Sequence, residues 1–118
     1  MKVALVSVFV HNPIEAFKFY TEVLGFVKIV FMPEAYLAVV ASPEDPGGTA
    51  ILLEPNNNPI ASTYQRALYD AGFPCIVFGA DDVQKEYEQL KALGVVFKKT
   101  PSKNDWGTEA IFEDTCGN

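Results

Sequence analysis

Between Val3 and Val10 the chain carries two interleaved apolar sets, Ala4, Val6, Val8 and Val10 on one side of an extended backbone and Val3, Leu5, Ser7 and Phe9, followed by His11, on the other. β-Branched residues dominate, which predicts a strand, and because neither side is strongly polar both sides are expected to be covered. At Pro13 the period changes. Ile14, Phe17, Tyr20, Val23 and Leu24 recur at helical spacing and make one broad apolar face, while Glu15, Lys18 and Glu22 turn to water. Both ends of this predicted helix, Pro13 to Leu24, are marked. Asn12 can cap it, Pro13 suits its first turn, Glu15 can reach back to the cap, and Gly25 supplies a left-handed stop.

The pattern then predicts strands over Phe26 to Met32, Tyr36 to Ala41 and Thr49 to Glu54, with a turn at Pro33-Glu34 and a Pro- and Gly-rich loop from Ser42 to Gly48. Three consecutive Asn residues within Pro55 to Pro59 break the pattern. A short linking helix is expected from Ser62 to Ala71, apolar along Tyr64, Ala67 and Leu68 and ended by Gly72. The first plan now restarts: a strand at Cys75 to Phe78, an Asp81 or Asp82 cap, a helix striped by Val83, Tyr87, Leu90 and Leu93, a stop at Gly94, and strands at Val95 to Lys99 and Thr108 to Glu113. The chain therefore reads as one α+β domain over residues 1–118. It has two βαβββ modules, about 1–55 and 73–118, joined by a linker over 56–72. The second module holds one strand fewer than the first.

Composition narrows the function classes. The chain has 118 residues, nearly half of them apolar, which is enough to bury a core without disulfide or metal staples. A formal charge of -6 and the lack of any basic run argue against nucleic acid as a partner. Cys75 and Cys116 have no Cys or His neighbours at metal-finger spacing, and two reduced thiols fit a cytoplasmic protein. The opening apolar run is too short to cross a membrane and lacks a small-residue cleavage site, so no membrane partner is expected.

The repeated βαβββ plan, with Phe19-Tyr20 and Leu24-Gly25 in the first helix, Leu93-Gly94 closing the second, and Phe112-Glu113-Asp114-Thr115-Cys116-Gly117-Asn118 near the end, resembles the vicinal oxygen chelate superfamily. That group includes glyoxalases, fosfomycin and bleomycin resistance proteins and extradiol dioxygenases. The resemblance implies that each module curls into half of an open, mixed-sheet barrel, that two copies pair as a homodimer, and that the last strand lies beyond Asn118. It also implies a divalent metal held by one residue from each of four strands. The first three of those places fall here on Leu5, Leu52 and Cys75, and the fourth beyond Asn118. Leu has no lone pair to offer, and an isolated thiol is a poor substitute for a His and carboxylate set, so neither the chelate nor any other cofactor is expected.

Several residues are candidates for a site. Glu54 shares a strand face with Leu52 and could act as a general base or ligand anchor, although a carboxylate beside Pro55 is more often solvated. His11, the only His, could move a proton near neutral pH, or could be a polar loop residue before a helix cap. Cys75 could be a nucleophile, but nothing in the sequence would lower its pKa, and a small core hydrophobe is the plainer reading. Trp106, in a polar loop, suits either an aromatic lid or a packing contact. The face formed by Leu5, Ser7, Phe9, Leu52, Glu54, Cys75 and Val77, with Trp106 over it, has the composition of a pocket for a small organic molecule, and also that of a filled core. Two functions compete: a metal-free protein that binds such a molecule, and a metal-dependent lyase, isomerase or dioxygenase acting on a small oxygenated substrate.

Overall fold

The first apolar run forms strand β1, Leu5–Val10, and the change of period at Pro13 forms helix α1, Pro13–Lys18, in a computed structural model that describes residues 1–118. Asn12 caps the helix: its side-chain oxygen accepts from the N–H groups of Ile14 at 2.9 Å and Glu15 at 3.3 Å. A regular helix was expected as far as Leu24. Instead, the helix widens after Lys18 into a π-helical turn over Phe19–Val23, where the N–H of Leu24 donates to the carbonyl of Phe19 at 3.1 Å. The extra residue in the turn shifts the helical register, and the adjacent Phe19 and Tyr20 are both buried.

Strands β2 (Val27–Met32), β3 (Leu37–Ala41) and β4 (Ala50–Pro55) complete a four-stranded sheet in the order β1-β4-β3-β2. β4 runs parallel to β1 and antiparallel to β3. Helix α2, Pro59–Ala71, links the halves, capped by Asn58 and ended by Gly72 at φ +77°. Helix α3, Val83–Ala92, is capped by Asp82, and β5 (Phe97–Asn104) and β6 (Gly107–Phe112) form an antiparallel two-stranded sheet. The α+β class and the two-module order match the reading of the sequence, and the two sheets stay separate rather than closing into a barrel.

Three local expectations are corrected. Cys75–Phe78 joins no ladder and bends at Cys75, because no strand lies beside it to supply partners. In β1 only Val8 and Val10 are buried. Leu5 and Ser7 are exposed on the side away from α1, and Val6, although it shares the side of Val8 and Val10, is exposed near the start of the strand. In α2 the buried residues are Ala61 and Gln65, while Tyr64 and Ala67 are exposed; a polar contact, not the apolar stripe, seats this helix.

One core joins the halves. Val10, Val40 and Leu53 from the sheet meet Ala16 and Tyr20 from the helical segment, and Val95 and Cys116 enter from the second half. A chain of aromatic contacts continues across the junction, with Tyr20 to Phe26 at 5.9 Å, Phe26 to Phe78 at 5.4 Å and Phe78 to Phe112 at 6.2 Å between ring centroids. No helix is long and apolar enough to cross a membrane.

Candidate functional site: an open sheet face and the clefts beside it

The pleat of β1 sends Val8 and Val10 into the core and Leu5, Ser7 and Phe9 to the opposite side. Register then extends this second side across the sheet. Ser7 stands beside Leu52 and Phe9 beside Glu54 in the parallel pair, and Val39 stands beside Leu52 in the antiparallel one. Residues in register on neighbouring strands share a face, so Leu5, Ser7, Phe9, Leu52, Glu54 and Val39 form one surface. Leu5 is 48% exposed, Ser7 is exposed, and Phe9, Leu52 and Glu54 are half-buried. Glu54 forms no ion pair, which leaves its carboxylate as the one acidic point on a mainly apolar floor.

Cys75 and Val77 lie elsewhere. They line a cleft of about 490 Å³ between residues 73–78 and β6, together with Tyr20, Phe78, Phe112 and Asp114. Val77 also borders a second cleft of about 520 Å³, walled by Phe26, Tyr87, Leu90 and Phe97. Trp106 caps the β5–β6 hairpin, 85% exposed, where its backbone N–H donates to the Asn104 side chain at 3.1 Å. A single chain thus gathers Leu5, Ser7, Phe9, Leu52 and Glu54 on the sheet face and Cys75 and Val77 in the cleft, with Trp106 in neither.

His11 ends β1 and turns into a polar cleft of about 440 Å³ with Arg66, Tyr69, Asp70 and Glu113. Its backbone N–H donates to the carbonyl of Cys116 at 2.9 Å. Beside it, Gly117 has φ +107°, and a Cβ there would come within 2.7 Å of both the His11 imidazole and the Gln65 amide, so a larger residue would be strained and would displace both side chains.

The donor set does not suit a divalent ion. No three His, Cys, Asp or Glu side chains converge anywhere in the chain, and Leu5 and Leu52 present only hydrocarbon at the places where the resemblance puts ligands. Cys75, expected as a core residue, is exposed because the segment that carries it lacks a neighbouring strand. Even so, desolvation by the groups packed near its sulfur, and then the negative charge of Asp114, push its thiol up to about 11. That direction disfavours both a thiolate ligand and a thiolate nucleophile.

The polar residues that organise this region were not singled out in the sequence. Gln65, 4% exposed, donates to the carbonyl of Phe9 at 2.7 Å and to that of Cys116 at 3.2 Å, and accepts from Asn56 at 2.6 Å. The Tyr69 hydroxyl donates to Glu113, and Lys98 lies 3.3 Å from the same carboxylate and 3.9 Å above the Tyr69 ring. Gln65 carried one weak signal, its place one helical turn from Ala61 on the side that packs inward. The Tyr69 cluster joins residues 29 and 44 positions apart and carried none.

Comparison with known proteins places the chain among relatives of this architecture. Residues 2–118 match the family described as Glyoxalase/Bleomycin resistance protein/Dioxygenase superfamily. The chain is 44% identical over 120 residues to the uncharacterized protein YurT of Bacillus subtilis (strain 168), covering all of this chain and 94% of that one. It is 31% identical to YetH of the same organism, over 99% of this chain and 92% of the relative. Among solved structures it resembles UcmS2, with a TM-score of 0.84 at 26% identity over 100% of this chain and 93% of that one. It also resembles TnmS3, described as an antibiotic binding protein from Streptomyces sp. CB03234, with a TM-score of 0.73 at 27% identity over 100% and 90% of the two chains.

Proposed function

The chain belongs to the glyoxalase/bleomycin resistance/dioxygenase superfamily, and on that premise we propose that it binds a small, largely apolar or aromatic organic molecule without a metal ion. The observation that carries this reading is the uncovered sheet face: Leu5, Phe9 and Leu52 offer apolar area, with Ser7 and Glu54 as polar points. Ligand sites combine a mainly apolar lining with a few placed polar groups, and this face has that composition. The likeness to TnmS3, whose description is antibiotic binding, supports the same class of ligand. The superfamily's metal-dependent reactions are disfavoured by Leu5 and Leu52.

A flat face buries only one side of a ligand. A homodimer that sets the face of one copy against the Cys75–Val77 edge and the Trp106 hairpin of the other would bring all eight residues around one cavity. It would also cover apolar area that a lone chain leaves in water. In this assembly Glu54 is the polar anchor, while Cys75 serves as wall, not nucleophile.

The test is a screen of small aromatic and oxygenated compounds, read by Trp106 fluorescence and melting temperature, with light scattering for the assembly. Binders are expected to lose about tenfold in affinity in Glu54→Ala, the loss of one charge-assisted hydrogen bond. Leu5→Lys is expected to break the dimer. A monomer at micromolar concentration, or a screen in which nothing shifts either signal, would sink the reading.

A further inference from the structure

The polar cleft of about 440 Å³ beside α2 shares no residue with the open sheet face. It collects the only His and the only Arg of the chain, and no aliphatic side chain lines it. Its polar groups fall into two sets. Gln65, Asn56 and the Tyr69–Glu113 pair hydrogen-bond within the chain and fix the walls. Arg66 and Asp70 do not. Among the side chains of α2 only Ser62, Gln65 and Tyr69 make hydrogen bonds within the chain, and neither Arg66 nor Asp70 enters an ion pair.

These two charges stand one helical turn apart, the spacing of an ion pair, but with the base first, which is the weaker order. Asp70 also lies in the last turn of α2, which holds no basic residue, so its carboxylate sits at the negative end of the helix dipole without a counter-charge. An ammonium group placed there is attracted by the carboxylate and by the helix end together. Arg66 offers the complementary half, since a guanidinium takes a carboxylate through two parallel N–H bonds. His11, from the end of β1, adds a ring nitrogen for a further hydrogen bond.

We propose that this cleft binds a small polar zwitterion, a free amino acid, with its carboxylate on Arg66 and its ammonium group at Asp70. A zwitterion matches both charges at once and adds no net charge to a chain already at -6. A simple anion or a simple cation leaves one of the two unpaired. The lining selects the side chain as well. With no aliphatic wall, an aliphatic side chain gains little by entering, whereas an amide or hydroxyl finds polar partners at His11 and Ser62. The volume falls within the range of small-ligand sites, about 300–1,000 Å³.

The experiment is titration calorimetry of the chain with L-glutamine and with its two singly charged analogues, glutaramic acid, which lacks the amine, and 4-aminobutanamide, which lacks the carboxylate. L-Leucine is the side-chain control. Glutamine is expected to bind with a Kd of about 1 mM or below, and each analogue about tenfold or more weakly, the loss of one charge-assisted contact. Arg66→Ala and Asp70→Asn should each weaken glutamine by a similar factor. Both residues are exposed, so a ligand-free melting temperature like that of the parent shows that the fold is intact. The analogue comparison uses the unaltered chain and decides even where a variant misfolds. No heat from glutamine at about 10 mM, analogues that bind as tightly as glutamine, or undiminished binding in both variants would each overturn the proposal. Leucine binding as tightly as glutamine would overturn the side-chain selection. The site and the probes differ from those of the sheet face, so the two readings fail separately.

Discussion

The hydroxyl of Tyr20 donates to the carboxylate of Asp114 at 3.2 Å, joining the first helical segment to the C-terminal turn across 94 positions of sequence. Both residues are buried, and the same carboxylate also holds the backbone N–H groups of Cys116 and Asn118 and the Asn118 amide, the last at 2.7 Å. Desolvation first, and then the charge of Asp114, raise the pKa of the phenol far above its ordinary value, so Tyr20 stays a neutral donor. The halves are therefore fastened by a specific polar bond inside an apolar core. Tyr20→Phe is expected to destabilise the chain by about 1–2 kcal/mol and Asp114→Ala by about 3 kcal/mol or more, because the second change strands several donors. Urea unfolding of both variants and the double mutant checks this, and equal costs for the two single changes would contradict it.

Glu113 supplies a pH dependence. The Tyr69 hydrogen bond first, and then Lys98, hold its carboxyl below the usual carboxylate range. A lowered folded-state pKa gives stability that is present above the unfolded value of about 4.3 and is lost as pH falls through the folded value. Melting temperatures from pH 7 to pH 3 should therefore fall less steeply for Glu113→Gln than for the parent. An identical acid limb in the two proteins would remove Glu113 from the account.

The cysteines act at the other end of the scale. Cys75 and Cys116 are each pushed up to about 11, by desolvation first and then by Asp114. Raised values favour the thiol form, so their contribution to stability is present below the unfolded value of about 8.5 and is lost as pH rises through 11. Alkylation of the exposed Cys75 should be slow at pH 8 and climb toward pH 11, while buried Cys116 reacts only on unfolding. Rapid labelling of Cys75 at neutral pH would show a thiolate that these surroundings do not support.

Metal removal should change nothing. Dialysis against a strong chelator is expected to leave melting temperature and ligand binding as they were, because no three donor side chains converge. Elemental analysis that finds one tightly held zinc, nickel or iron per chain would count decisively against this.

Much of the architecture was legible because it is local. Asn12, Asn58 and Asp82 cap their helices, and the changes of hydrophobic period at Pro13 and after Asp82 mark where strand gives way to helix. The limits of that reading are equally specific. Cys75–Phe78 has the composition of a strand, yet a strand exists only with a neighbour, and neighbours are set by topology. The stripe Tyr64, Ala67 and Leu68 suggested one side of α2, but the bonds of Gln65 to Phe9 and Cys116 turned another side inward.

The candidate site divides along the same line. The alternation in β1 and β4 put Leu5, Ser7 and Phe9 on one face and Leu52 and Glu54 on another, because side-chain direction follows from the pleat alone. That the two faces are one surface was decided by register, which set Ser7 beside Leu52 and Phe9 beside Glu54. Whether the surface is open or buried was decided by which layer has a helix over it, a property of packing that no single strand contains. Sequence by itself determined the elements and the lack of lone pairs at Leu5 and Leu52. Only the tertiary structure decided that Tyr20 meets Asp114, that Cys75 lies apart from Leu5, and that the second half leaves a gap beside β6, since each depends on segments brought together by folding.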